Sequence, residues 1–168
     1  MLTAVLAVKL IRQILVDYNS WPESESDLPM KVYRSKTFDD KAILARDARM
    51  RRVQEKVANP TATGYKPPER RIETKSLTEG LRPLIILAGN ECEAAFQLVK
   101  DNTASVTTLE SPIEVVECLV QLFSAFSELT NAKMSYVIDA TDPYTGLFIS
   151  GTTADGEFIV AQTLLVQT

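Results

Sequence analysis

The sequence predicts one α+β domain, in which a mixed or mainly antiparallel sheet of about four to six strands is packed by a helix over residues 112–130. Three observations lead there. First, 168 residues with 45 % apolar and 24 % charged side chains suit a single globular domain with a real core. Second, SPIEVVECLVQLFSAFSELTN carries a broad helical stripe of Val115, Val116, Leu119, Leu122, Phe123, Phe126 and Leu129. Third, the C-terminal third holds short strand-like runs, and Ala-Asp-Gly between LFISGTT and EFIVAQTLLVQT reads as a hairpin with Gly156 at positive φ.

In chain order, residues 1–20 form an amphipathic helix. Ala4, Ala7, Val8, Ile11, Ile14, Leu15 and Tyr18 share one face, and Lys9, Arg12, Gln13 and Asp17 share the other. Those charges argue against a signal peptide, and the run is too short to span a bilayer. WPESESDLP is a loop. MKVYRSK, with its polar alternation, suits an exposed or edge strand. Residues 39–58 are rich in helix formers, but their apolar stripe of Ile43, Met50, Val53 and Val57 is too thin for a core element. Residues 59–83 contain four prolines and two glycines and read as a long loop. The helix and loop over 37–82 are expected to project as an arm from a body formed by 83–168.

Within that body, PLIILAG (83–89) reads as a buried strand. Asn90, followed three residues later by Glu93, resembles a cap for a short helix over 91–100. A strand over 94–99 paired with 104–109 competes with that reading. If 84–140 alternate strand and helix, the core becomes α/β with an antiparallel end. Ser111 is the expected N-cap of the 112–130 helix, with Pro112 in its first turn and Glu114 completing a capping box. MSYVIDA (134–140) is a strand.

Composition excludes much chemistry. There is no histidine, so Ser-His-Asp and Cys-His pairs are absent. Two cysteines, Cys92 and Cys118, cannot complete a four-ligand zinc shell, and they read as reduced thiols of a cytoplasmic protein. A sharper reading makes Cys92 reactive in the first turn of a helix, although Glu91 and Glu93 oppose it. The six glycines form no phosphate-binding loop, and Gly89 alone follows an apolar run. Asp139, Asp142, Asp155 and Glu157 are either turn formers or an oxygen-only cation site. The expectation is a non-enzyme without cofactor or metal.

Charge is what stands out. The net charge of -4 divides into -2 over residues 1–30, +7 over 31–82 and -9 over 83–168. Such a chain neutralises itself as a dipolar globule, assembles head to tail, or offers its basic segment to nucleic acid. Poor aromatic interleaving weighs against the last. The expected contact residues are Arg46, Arg49, Arg52, Arg70 and Arg71 on the basic side, against Glu114, Glu117 and Glu128 on the acidic side.

In the order of its elements the chain resembles small phage neck and tail-terminator subunits that form rings. The likeness lies in element order and in no diagnostic residue. It implies a structural subunit whose partners are copies of itself or other proteins of an assembly, in the cytoplasm or a virion. A regulatory or adaptor module, and binding of nucleic acid or another anionic ligand, are the alternatives. No membrane partner is expected.

Overall fold

A computed structural model describes residues 2–16, 18, 20–26 and 28–166. Its centre is a five-stranded sheet of β1 (Lys31–Ser35), β2 (Arg71–Ser76), β3 (Thr130–Ile138), β4 (Tyr144–Thr152) and β5 (Phe158–Val166). The order across the sheet is β1-β5-β4-β3-β2, and every pair is antiparallel. The expected hairpin joins β4 to β5, with Gly156 at φ +80° in its turn. MKVYRSK is the expected edge strand β1. Leu147 and Ile149 point to one side of β4 and Phe148 to the other, and all three are fully buried, so both faces of the sheet are covered.

Three helices cover the first face: α1 (Ala4–Leu15), α3 (Leu77–Lys100) and α4 (Glu110–Ser127). The stripe read on the first helix is the one buried, with Ala4, Ala7, Val8, Ile11 and Leu15 packed into the main core. From α4, Leu119, Leu122 and Phe126 join them against Met134, Leu147, Ile149 and Ile159 of the sheet. Each such side chain contributes about 1.5–3 kcal/mol when fully buried.

The second face is covered by α2 (Asp40–Ala58), which corrects the expectation of a projecting arm. Ile43 and Phe38 pack with Phe148, Val160 and Val137 in a separate, smaller cluster. Of the expected stripe only Ile43 is buried, while Met50 is half-buried and Val53 and Val57 are exposed; two charged side chains, Asp47 and Arg51, are buried beside Ile43 instead. The helix is capped by Asp39, whose side chain accepts from the Ala42 amide at 2.8 Å.

The stretch 71–89 departs furthest from expectation. Residues 71–76, read as loop, form the edge strand β2 along β3. PLIILAG is not a strand; it lies inside α3, a helix of 24 residues that starts at Leu77. Ser76 caps it, accepting from the Glu79 amide at 3.1 Å. Leu77, Leu81, Leu84 and Ala88 are buried at helical spacing, which the continuous apolar run concealed. Pro83 is exposed and interrupts one backbone bond without ending the helix. Asn90 and Gly89 are therefore mid-helix, not a cap and not a strand-to-helix anion site. The helix reading of 91–100 holds, and the competing hairpin does not. Asn102, at φ 58°, ends α3: its amide bonds the Val99 carbonyl at 3.1 Å, and that of Thr103 bonds Leu98 at 3.0 Å.

The cap of α4 also differs. A short 3-10 helix, Val106–Leu109, runs directly into it, so the helix starts at Glu110 and Ser111 is already inside. No side chain caps α4, and the box with Glu114 does not form. Pro112 keeps its first-turn place, where a missing amide costs nothing.

Gly146 on β4 explains how closely α2 approaches. A Cβ there would overlap Asp47 Oδ1 and crowd Val137. Gly146→Ala is expected to lower stability by about 1–3 kcal/mol, read by denaturant unfolding. A loss below about 0.5 kcal/mol would mean that α2 does not sit this close.

Candidate interaction surfaces

The α2 face is anchored by a buried ionic network. Arg51 Nε donates to Asp47 Oδ2 at 2.9 Å, and Arg51 Nη2 donates to the Val137 carbonyl at 2.9 Å. Its Nη1 bonds Asp139 and reaches Asp142 at 3.5 Å. Arg70, from the proline-rich segment, donates to the same Asp47 oxygen at 2.7 Å and to the Leu44 carbonyl at 3.1 Å. Tyr65 donates to Asp142 from the same segment. Nearby, Tyr144 donates to Glu55 at 2.9 Å. Part of the basic segment is thus neutralised by the acidic body of its own chain.

Burial raises the Asp139 carboxyl, but the Arg51 hydrogen bond and the amides of Asp142 and Thr141 outweigh it and hold it below the usual range. Asp47 is pushed up by burial, against the pull of Arg70 and Arg51. Of the two, Asp139 is the one whose stabilising contribution is lost in acid.

The expected basic residues divide. Arg70 is spent in the network, and Arg71 pairs with Glu73 along β2 at 3.0 Å. Arg46 stays on the surface of α2, its guanidinium 3.9 Å from the centre of the Tyr33 ring. Tyr33 in turn donates to Gln162 at 2.8 Å. Arg49 and Arg52 are exposed. Arg46 and Arg49 meet Lys31 around an open groove of about 400 Å³ between α2 and the β1–β5 end of the sheet. Its lining also includes Leu28, Met50, Val53 and Leu164, so the groove presents basic and apolar side chains together.

The expected acidic residues divide too. Glu114 and Glu117 are exposed on the first turns of α4, where they share a shallow hollow with Glu110, Val106 and Ile113. Glu128 lies just past the other end of α4, beside a groove against α1. At 1.5 Å per residue that is roughly 16 Å along the helix axis from Glu117, so the three acids do not form one patch.

What sequence reading missed is the exposure of the hairpin that bears them. No residue from 89 to 117 is buried. The end of α3, the 3-10 turn and the start of α4 pack on one another and extend past the core. Phe96 is 48 % exposed, Leu98 51 % and Val106 70 %. The segment carries six acids against Lys100 alone.

The remaining candidates settle into structural positions. Asp139 Oδ1 accepts from the Thr141 amide at 2.7 Å as a turn former, while its other oxygen faces Arg51. Asp155 accepts from the Ala4 amide at 3.2 Å, and Glu157 pairs with Arg34 at 3.7 Å. These carboxylates do not converge on a cation site. Cys92 is half-buried in mid-helix rather than in a first turn, and burial with nearby Glu114 pushes the buried Cys118 up to about 12. Among the described residues no helix is long and apolar enough to cross a membrane.

Compared with known families and curated proteins, the chain matches no family model and no curated sequence.

Two outcomes follow from the network. Arg51→Leu leaves Asp139 and Asp142 without their guanidinium and Asp47 with Arg70 alone, and should cost about 3–5 kcal/mol in denaturant unfolding. A loss under 1 kcal/mol would show the network to be dispensable. Because Asp139 has its folded value below its unfolded one, its contribution is complete above the ordinary carboxylate value of about 4. It is lost as pH falls through the lowered value. Asp139→Asn should therefore flatten the acid side of the stability profile, measured by thermal melts between about pH 7 and pH 3.

Proposed function

We propose that the protein is a non-enzymatic structural subunit that assembles with copies of itself into a ring or stack. The basic face of one copy meets the acidic helices of the next. The observation that carries this reading is the placement of the two charges. Arg46, Arg49 and Arg52 lie on α2, over one face of the sheet, whereas Glu110, Glu114 and Glu117 lie on α4, over the other. The sheet stands between them, so these groups are left for another molecule even after Arg51 and Arg70 are neutralised internally. A contact that uses two different surfaces is heterologous; it closes into a ring or extends indefinitely. The likeness of element order to phage neck and tail-terminator subunits suggests a virion ring as the setting.

Light scattering tests this. At about 0.1 M salt the mass should be a multiple of the monomer, rising with protein concentration. It should fall towards the monomer near 1 M salt, where charges are screened within about 3 Å. A strict monomer at all concentrations and both salts refutes self-assembly. Binding of DNA or RNA with a steep salt slope would replace it with the nucleic-acid reading.

A further inference from the structure

We infer that the unburied α3–α4 hairpin is a docking tip, and that its occupancy site is the basic groove beside α2 on a second copy of this chain. This rests on the self-assembly reading above and goes further by naming the two surfaces that meet.

The tip has features a surface helix pair does not need for its own fold. Val106 and Ile113 are 70 % and 41 % exposed, on the side where Glu110, Glu114 and Glu117 rim a shallow hollow. Apolar side chains beside acids are the complement of the groove, where Met50 and Val53 share the lining with Lys31, Arg46 and Arg49. Val53 is itself 61 % exposed. Seating Val106 and Ile113 in the groove removes apolar surface of both copies from water and sets the glutamates against the groove's cations.

Size agrees. The lining of the hollow on the tip includes Val106, Leu109, Glu110, Ile113, Glu114 and Glu117, and its volume of about 390 Å³ is close to the 400 Å³ of the groove. A chain cannot serve its own groove, because the hairpin belongs to the α1–α3–α4 face and the groove to the α2 face. The occupant is therefore another molecule. The apolar wall also favours protein over nucleic acid, since among the described residues that line the groove there is no aromatic ring on which a base could stack.

Paired variants in the full chain test the geometry. The tip variant is Val106→Asp with Ile113→Asp; the groove variant is Lys31→Glu with Arg49→Glu. All four side chains are exposed, so both variants should melt as the wild type does. Each alone should weaken self-association at least about tenfold and run as a monomer. Mixed one to one, the intact tip of the groove variant should fill the intact groove of the tip variant. The mixture should then give a dimer and nothing larger. If the wild type assembles and either variant still assembles like it, the docking pair is wrong and self-assembly stands on another surface. If both variants are monomers and their mixture stays monomeric, tip-to-groove pairing is overturned. A wild type that is monomeric throughout overturns the assembly reading itself.

Discussion

The Arg51 guanidinium joins parts of the molecule that are remote in the chain. Through its three nitrogens it bonds α2 at Asp47, the β3 backbone at Val137 and the β3–β4 turn at Asp139. Arg70 and Tyr65 extend the same cluster to the proline-rich segment. Without these bonds α2 has only a small apolar cluster to hold it, for Val53 and Val57 point away from the sheet and most of its remaining side chains are charged. Burying such charges is costly in desolvation, so the cluster does more to specify where α2 lies than to add net stability. Gly146 fits that account, since its lack of a side chain lets Asp47 reach the strand.

How legible each element was depended on what holds it. The stripes of α1 and of the 112–130 helix, and the β4–β5 hairpin, were readable because apolar periodicity and turn chemistry are local and report burial directly. The strand β2 was not, because RIETKS has Ile72 as its one large apolar residue and takes its conformation from pairing with β3. The start of α3 was obscured by Pro83 and by an apolar run that hid the spacing of Leu77, Leu81, Leu84 and Ala88. Of the site, the exposure of Arg49, Glu114 and Glu117 followed from their charge. The internal use of Arg70, and the pairing of Arg51 with Asp139 across 88 positions, is tertiary and leaves no local sign. The outward placement of Phe96 and Val106 runs against the rule that large apolar residues are buried, so composition could not reveal it.

The segregated charges acquire a different meaning once the layers are known. The positive middle of the chain is spent in two ways: Arg51 binds the body at Asp139 while Arg70 binds Asp47 of α2, and Arg46, Arg49 and Arg52 remain on the outer side of α2. Internal neutralisation and an outward basic face are therefore not competing readings. The same helix does both, with its buried side turned to the sheet and its wet side turned away.

The hairpin from 89 to 117 has a consequence for motion. Its helices lean on each other, and its contact with the core is confined to its base, where the half-buried Val115 and Val116 pack against the main cluster, so opening the tip beyond them leaves the sheet and its two apolar clusters intact. With no fully buried side chain of its own, the tip is the part whose amides should exchange ahead of those of the body. Any surface that covered Val106 and Ile113 would slow exchange in the tip, without a change in the fold.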